Sequence, residues 1–219
     1  MHATRDRLHL GCGPEILPGW VNIDVREYPG VDRVLDVRDG LPFENVELIF
    51  AEHFLEHLEL EDAWRLVREC RRVLADDGIL RLTTPNLDWV WATSYATRWK
   101  AQSPREATIE LDAWKHDAAA ARDCVGLNHA FRGWGHRFLY NAGMLEALLR
   151  DSGFGRIDWC AYGTSDHAEL HGLERHEQSP DIPGLPHVLV AEASGRAPAP
   201  VEGELRETID RYLRDLRVQ

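Results

Sequence analysis

The feature that most constrains the fold is a regular alternation of short apolar runs with amphipathic stretches. The run VELIFA (46–51) is apolar at nearly every position, as a strand buried on both faces should be. Residues 60–75 follow it with apolar positions at helical spacing, and Asp77-Gly78 is a plausible stop for that helix. Strands that alternate with helices predict an α/β fold built on a mostly parallel sheet covered on both faces.

Seven strands and three helices are predicted along the chain. The predicted strands cover residues 7–11, 19–25, 31–37, 46–51, 79–85, 157–163 and 187–193. The predicted helices cover residues 60–75, 141–151 and 204–217. We interpret 1–195 as one domain, with 87–140 as a helical lid or insertion and 196–219 as a linker followed by a C-terminal helix.

Charge and composition limit the kinds of partner and the cellular compartment that we expect. Acidic residues outnumber basic ones by 37 to 25, a formal charge of −12, which argues against nucleic acid or an anionic membrane as the main partner. No apolar run approaches the roughly 18 residues that span a bilayer, and the start MHATRDRLHL lacks the apolar stretch of a signal peptide. The four cysteines are far apart, which predicts a reduced, cytoplasmic protein.

The first predicted strand ends in LGCGP (10–14). Two glycines let the backbone turn sharply and approach a ligand closely. A dinucleotide fold would have a third glycine where Ile16 stands, and its acid would follow about 20 residues later, whereas Asp24 follows Gly13 by only 11. NAD and FAD are therefore disfavoured.

Two aspartates end the next two predicted strands. A carboxylate at Asp24 is placed to accept hydrogen bonds from both ribose hydroxyls of a nucleoside, although a solvated strand-end aspartate is the alternative. Asp36 is placed to accept a hydrogen bond from an exocyclic amine, and the alternative there is an aspartate that caps a turn.

Together these segments resemble the class I S-adenosylmethionine-dependent methyltransferases, a resemblance that covers about residues 7–193. It rests on LHLGCG (8–13), GWVNID (19–24), VDRVLDVRDGLPF (31–43), VELIFAEHFLEHL (46–58), RECRRVLADDG (68–78), ILRLTTPN (79–86) and GHRFLY…LEALLRDSGF (135–154). The pattern is similar to a subgroup with a shortened first helix. It implies a Rossmann-like, seven-stranded sheet with an antiparallel last strand, and S-adenosyl-L-methionine as cofactor.

The resemblance also implies cofactor contacts in the first half of the chain. Gly11, Cys12 and Gly13 would lie against the methionine part, and Asp24 would bind the ribose. One departure is that the acid often found at the end of the first strand is replaced here by His9-Leu10. How the cofactor's amino group is held is therefore left open.

Further contacts implied by the resemblance follow the third and fourth strands. Asp36 and the amide of Val37 would read the adenine edge. Glu52 and His53 would face the methionine end or the transferred methyl group.

The string His53-Phe54-Leu55-Glu56-His57 also matches H-x-x-E-H, the ligand pattern of inverted zinc peptidases. Such a site needs the string on a long helix and a third carboxylate elsewhere, yet an apolar strand directly precedes it here. A zinc hydrolase is therefore a minor alternative, and His57 is interpreted as a packed structural histidine. His167 and His171 are also spaced four apart, but a solvated helix face explains them. We expect no metal ion.

The predicted insertion supplies candidates for the acceptor side. His129, His136 and Tyr140 are candidates for a general base, with His136 the first, and His53 is the second catalytic candidate. Trp134, His129 and Tyr140 are candidates for contact with the acceptor. Flat apolar surface is also offered by Trp89, Trp91, Trp99 and Trp114. The expected reaction is O-methylation of a small-molecule or saccharide hydroxyl. A catalytically inactive relative that binds cofactor beside another enzyme is the alternative.

The C-terminal segment ELRETIDRYLRDLR (204–217) carries one apolar stripe. Its members are Leu205, Ile209, Tyr212, Leu213 and Leu216. A helix of this length is marginal alone, so the stripe should be buried against its own domain or against a second copy. A homodimer contact is the preferred of the two expectations.

Overall fold

One seven-stranded sheet organises the chain in a computed structural model that describes residues 6–94, 118–176 and 179–217. Its strands are β1 (Arg7–Leu10), β2 (Val21–Asp24), β3 (Arg33–Val34), β4 (Val46–Glu52), β5 (Leu74–Pro85), β6 (Arg156–Trp159) and β7 (Val188–Ser194). Their order is β3-β2-β1-β4-β5-β7-β6. Pairing is parallel from β3 to β5, and β7 runs antiparallel to both neighbours. The predicted fold, including the antiparallel last strand, is confirmed.

Five α-helices accompany the sheet within the described residues. They are α1 (Leu60–Val73), α2 (Leu87–Ser94), α3 (Ala118–Arg132), α4 (Ala142–Asp151) and α5 (Gly203–Leu216). Short 3-10 helices cover Val37–Asp39, Leu55–His57 and Gly133–Gly135. Two tryptophans proposed for the acceptor side, Trp99 and Trp114, lie outside the described residues.

The core lies on both faces of the sheet. Along β4, Ile49 and Ala51 belong to a cluster that includes the buried faces of α1 and α4. Leu48 and Phe50, whose side chains alternate with them, belong to a second cluster on the other face. The near-continuous apolar run VELIFA is thus explained by a central strand covered on both sides.

The predicted end of the first long helix was wrong. Helix α1 ends at Val73, and Leu74 is already extended and paired with Val46 in β5. Because the register shifts between Val46 and Leu48, residues 76–78 form an irregular start to the strand. A Cβ on Gly78 would lie 2.9 Å from the Val46 carbonyl oxygen, so this glycine serves close backbone packing instead of stopping a helix.

The third strand is also shorter than predicted. It covers only two residues, and Asp36 does not end it but caps the 3-10 helix that follows. The Asp36 carboxylate accepts a hydrogen bond from the Arg38 amide at 3.0 Å. The local hydrogen bond competes with extension of the strand, as is usual for aspartate.

Helix α5 packs against its own domain. Ile209 is 4% exposed and belongs to the main core, and Tyr212 and Leu213 pack against the same cluster. Leu205 and Leu216 at the ends of the stripe stay exposed. The middle of the stripe is therefore buried against its own domain, the first of the two expectations. A contact with a second copy would have to use the exposed ends of the stripe.

Polar contacts hold the start of α5 as well. The Asp151 carboxylate at the end of α4 accepts hydrogen bonds from Trp64 Nε1 at 2.7 Å, from Arg206 at 2.8 Å and from the Val201 amide at 3.0 Å. Its side chain is 3% exposed, and Arg68 pairs with it at 2.7 Å. One buried carboxylate therefore joins α1, α4 and α5.

We predict that Ile209→Ala lowers the free energy of unfolding by about 2–4 kcal/mol, because it leaves a cavity in the core. Leu205→Ala on the same helix is the matched control and should stay within about 0.5 kcal/mol, as exposed substitutions do. Chemical denaturation of both variants measures the difference. Equal stability of the two variants would show that α5 does not add to the core.

Candidate functional site

The turn after β1 is held by a close contact with the end of β4. Gly11 has φ of +64°, and a Cβ there would lie 2.2 Å from Phe54 Cδ2. Any side chain at this position would collide with the Phe54 ring as well as strain the backbone. Gly13 also has a positive φ, of +51°, but no atom lies within 4 Å of a Cβ built on it. The backbone around Gly13 is therefore open to a ligand.

Asp24 at the end of β2 lies beside this turn. Its Oδ2 accepts a hydrogen bond from the Gly13 amide at 2.9 Å, and its Oδ1 accepts one from the Arg26 amide at 2.8 Å. Each oxygen keeps a further lone pair. The carboxylate thus fixes the glycine turn and remains available to hydroxyl donors.

Cys12, between the two glycines, supports the turn through its backbone amide and its buried side chain. Its side chain is buried, and its amide donates to the Ile23 carbonyl at 3.1 Å. Burial, reinforced by the charge of Asp24, raises the pKa of the Cys12 thiol to about 11. A raised pKa keeps the thiol protonated at neutral pH and disfavours a nucleophilic role.

Asp36 is engaged by its neighbour Arg38. Side-chain hydrogen bonds from Arg38, with a bond from its amide, lower the pKa of Asp36 to about 2. An adenine amine would have to share this carboxylate with the guanidinium. Val37, the next residue, is buried and packs in the main core.

Glu52, the last residue of β4, anchors the connection between β6 and β7. Its carboxylate accepts hydrogen bonds from the amides of Arg175 and His176 at 2.9 and 3.2 Å, and it pairs with His176 Nδ1 at 3.2 Å. The Tyr162 hydroxyl lies 3.1 Å from Oε1. We call residues 162–176 the strap, because these contacts tie that segment across the carboxyl end of β4.

Burial alone would raise the pKa of Glu52. Hydrogen bonds from the His176 side chain and from the amides of Arg175 and His176 outweigh burial and lower it to about 2. The same pair raises the pKa of His176, with the hydrogen bond to Glu52 as the largest cause. The carboxylate predicted to face the cofactor is thus largely occupied in holding the strap.

His53 and Glu56 form a hydrogen-bonded pair immediately after β4. His53 Nδ1 lies 3.0 Å from Glu56 Oε1, and Thr84 Oγ1 donates to Glu56 Oε2 at 3.0 Å. Glu56 is fully buried and acts as the acceptor, so Nδ1 carries the proton and Nε2 of His53 is left free. His53 adopts a left-handed φ of +46°, a conformation that is uncommon for residues other than glycine.

A cavity of about 690 Å³ opens beside this pair. Six of its lining residues are histidines and two are tryptophans. They are His53, His57, His129, His136, His176, His187, Trp89 and Trp134. None of the described lining residues is Lys, Arg, Asp or Glu.

His136 reaches the cavity from the segment after α3. Its Nδ1 lies 2.7 Å from the Ala130 carbonyl oxygen, which accepts a hydrogen bond, so the neutral ring carries its proton on Nδ1. Its ring also contacts His57, with centroids 5.1 Å apart. Burial lowers the pKa of His57.

His187 shows the opposite arrangement. Its Nδ1 accepts a hydrogen bond from the Ser179 amide at 3.2 Å, so the neutral ring carries its proton on Nε2. The ring is braced edge-on by Trp89, with centroids 4.4 Å apart. The cavity therefore contains imidazoles poised as acceptors and one poised as a donor.

The remaining candidates for acceptor contact divide between the cavity wall and the core. His129 stacks on Trp134 with centroids 4.1 Å apart, and both line the cavity. Tyr140 is fully buried in the main core, and its hydroxyl has no hydrogen-bond partner within the described structure. Direct contact between Tyr140 and an acceptor in the cavity would require this part of the core to open.

The H-x-x-E-H string does not lie on a helix. His53 sits in a left-handed turn, Leu55–His57 form a 3-10 helix, and α1 begins only at Leu60. The long-helix geometry of an inverted zinc peptidase is absent from the described chain. His167 and His171 lie on the exposed part of the strap, and neither lines the cavity.

Three residues of this region were missed from the sequence: Thr84, Tyr162 and His187. They come from strand ends and loops whose order along the chain carries no signal of their meeting. Glu56 was visible, three residues after His53, but that spacing was interpreted as a metal pattern instead of a hydrogen-bonded pair.

The comparisons with known proteins agree with this geometry. The family model described as a methyltransferase domain matches residues 12–82, from the glycine turn to β5. No curated protein matches the sequence. Within the described ranges, no helix is both long and apolar enough to cross a membrane.

Solved methyltransferases share the fold. The structure of the S-adenosylmethionine-dependent methyltransferase SibL in its apo form has a TM-score of 0.51 at 11% identity, over 88% of this chain and 51% of SibL. A SAM-dependent methyltransferase from Archaeoglobus fulgidus has a TM-score of 0.50 at 13% identity, over 87% and 86% of the two chains. This chain spans about half the length of SibL, and at these identities the likeness concerns the fold.

We predict that the strap is held most firmly between about pH 4.5 and 6.5, the ordinary pKa values of Glu and His. The lowered pKa of Glu52 means that its contribution is lost as pH falls toward 2. The raised pKa of His176 means that its contribution is complete below pH 6.5 and lost as pH rises through the raised value. Hydrogen exchange of the Arg175 and His176 amides, corrected for intrinsic rates, measures this.

His176→Gln is the control. It should remove the loss of protection above pH 6.5 while leaving the loss at low pH, because Glu52 keeps its bonds from the backbone. Wild-type protection that stays constant from pH 5 to 9 would contradict the role given to His176.

Proposed function

We propose that this chain methylates a hydroxyl group of a small molecule or saccharide. Its sheet topology and the sequence of residues 12–82 are those of a class I S-adenosylmethionine-dependent methyltransferase. S-adenosylmethionine supplies an electrophilic methyl group on a sulfonium. The acceptor oxygen would lose its proton to a histidine and bond to the methyl carbon as the carbon–sulfur bond breaks, and S-adenosylhomocysteine would be the leaving group. The chain's own residues must hold the cofactor, orient the acceptor and take the proton.

The residues at the ends of β1 and β2 fit the cofactor. The space beside Gly13 is open, and Asp24 offers acceptor lone pairs next to it. We propose that Gly11, Cys12 and Gly13 lie against the methionine part and that Asp24 binds the ribose.

We also propose cofactor contacts at the adenine end and at the end of β4. Asp36 and the Val37 amide would read the adenine edge, with Arg38 sharing the Asp36 carboxylate. Glu52 would act through the strap it anchors, which we propose lies at the methionine end.

The observation that carries the proposal is the Glu56–His53 pair facing the acceptor cavity. A carboxylate behind Nδ1 orients the ring and stabilises the imidazolium that forms when Nε2 takes a proton. This support makes His53 the stronger base candidate, although His136 was ranked first from the sequence. His136, whose Nδ1 is held by a neutral carbonyl, is the second histidine at the acceptor.

The lining of the cavity supports an uncharged acceptor. Imidazoles and indoles offer hydrogen bonds and flat apolar surface, as a sugar ring or an aromatic ring requires, and the described lining carries no acid or base stronger than histidine. His129 and Trp134, stacked together, are the proposed platform. The formal charge of −12 supports an acceptor other than nucleic acid.

Asp24→Ala should weaken binding of S-adenosylhomocysteine by about 1.5–3 kcal/mol, roughly 10- to 150-fold in Kd, because hydrogen bonds to a charged acceptor are lost. Calorimetric titration measures it, with Asp24→Asn as a variant of similar shape. Asp36→Ala should cost less, since Arg38 already neutralises that carboxylate. Unchanged affinity in Asp24→Ala would remove the ribose assignment.

His53→Ala should lower turnover on a hydroxyl acceptor by roughly 10²–10⁴-fold, the usual contribution of a general base, while leaving S-adenosylhomocysteine binding intact. His136→Ala should also lower turnover with cofactor binding intact. Single-turnover methyl transfer from labelled cofactor measures both. A loss below about tenfold in both variants would mean that alignment of the acceptor carries the step. Cofactor binding without transfer to any acceptor tried would favour the inactive relative.

A further inference from the structure

We propose that Glu56, His57 and His136 bind one divalent transition-metal ion in the wall of the acceptor cavity. Each offers one ligand atom, and these atoms all lie within 4.8 Å of one another. A bound ion would draw them to the roughly 2.0–2.2 Å that imidazole and carboxylate ligands keep from zinc. The proposal replaces the expectation that His57 is only a packed structural residue.

The backbone already holds the two halves of this cluster together. The amides of Arg137 and Phe138 donate to the Glu56 carbonyl at 2.7 and 3.2 Å. His136 therefore approaches Glu56 and His57 through a short backbone pairing and not through loop contact alone. Such a pairing limits the movement needed to close the ligands around an ion.

The charge of Glu56 favours a cation at this point. The Glu56 side chain is 0% exposed to solvent. Within the described chain it forms no ion pair with Lys or Arg. A buried carboxylate is costly unless a positive charge compensates it. Its two hydrogen-bond donors, His53 and Thr84, use one lone pair on each oxygen, so lone pairs remain for a metal.

The ligand set has a recognised chemistry. Two imidazoles and one carboxylate form the protein ligands of zinc hydrolase sites and of facial iron sites, which keep coordination positions open for a substrate. Groups behind the ligands are also present: the Ala130 carbonyl accepts from His136 Nδ1, and His53 donates to Glu56. Partners of this kind orient ligands and raise their basicity.

A neighbouring cluster, Glu52, His53 and His176, also has ligand atoms within 4.8 Å. It is the weaker candidate, because four groups surround the Glu52 oxygens: the amides of Arg175 and His176, His176 Nδ1 and the Tyr162 hydroxyl. That carboxylate is saturated and its charge is compensated by His176.

The role of the ion rests on the proposed function. An open position in the cavity wall would bind the oxygen of an acceptor hydroxyl and lower its pKa, with the proton passing to His53 Nε2. His136 would then act as a ligand instead of a base. The acceptor class becomes one that offers an oxygen ligand to a metal.

Metal binding tests the proposal without relying on activity. Protein stripped with a chelator is titrated with Zn²⁺ by calorimetry, and Co²⁺ is used as a visible-absorption probe of coordination. The wild type should bind one ion per chain. Loss of a residue that only hydrogen-bonds to a metal ligand lowers metal affinity by roughly 10- to 100-fold, and we expect this loss for His53→Ala. His57→Ala and His136→Ala remove ligands themselves, so their affinity should fall by more than about 100-fold.

His176→Ala and His187→Ala are the matched controls, since both line the same cavity without belonging to the proposed ligand set. Their affinities should stay within about threefold of wild type. Glu56→Gln, checked for folding by circular dichroism, covers the case in which an alanine variant does not fold. Absence of stoichiometric binding, retention of binding in His57→Ala and His136→Ala, or its loss in His176→Ala would each overturn the proposal.

Binding of S-adenosylhomocysteine to the stripped protein separates this proposal from the proposed function. The cofactor residues lie in the first 37 positions and at Glu52, apart from the ligand set. Cofactor binding without metal binding would overturn the metal site alone, whereas loss of cofactor binding in the wild type would overturn the proposed function.

Discussion

The buried carboxylate of Glu56 is the contact on which the acceptor side of the molecule depends. It fixes His53 through one oxygen and Thr84 of β5 through the other, while its backbone carbonyl receives the amides of Arg137 and Phe138. Three separate stretches of chain are therefore held together by this one residue. Because a buried charge tolerates few arrangements, this single residue restricts where the imidazoles of the cavity can lie.

The cofactor side depends on backbone conformation instead of buried charge. Gly11 turns with a positive φ directly beneath the Phe54 ring, and Gly13 leaves the space next to Asp24 open. Both sides meet at residues 52–56, where β4 ends between the glycine turn and the strap. A ligand placed at either side would thus be within reach of the same short segment, as expected at the carboxyl ends of parallel strands.

Most of the fold could be predicted because its signals are local. Apolar runs and helical spacing located all seven strands and the helices α1, α4 and α5, and the glycine turn with Asp24 marked the strand ends that matter. The predicted ends of helices and strands were wrong where local and tertiary preferences compete. Leu74 leaves the helix to pair with Val46, and Asp36 caps a 3-10 helix instead of ending a strand. Propensity alone does not decide such cases.

The sequence by itself determined the layered sheet and the place of the glycine turn, because these depend on spacing along one stretch of chain. Only the tertiary structure decided that Glu52 would be taken up by the strap and that Tyr140 would be buried in the core. It alone brought His136 to Glu56 and His57. The physical reason is that the contacts of His136 and of the strap join residues 79 to 124 positions apart, and no local periodicity records which distant hydrogen-bonding groups will meet.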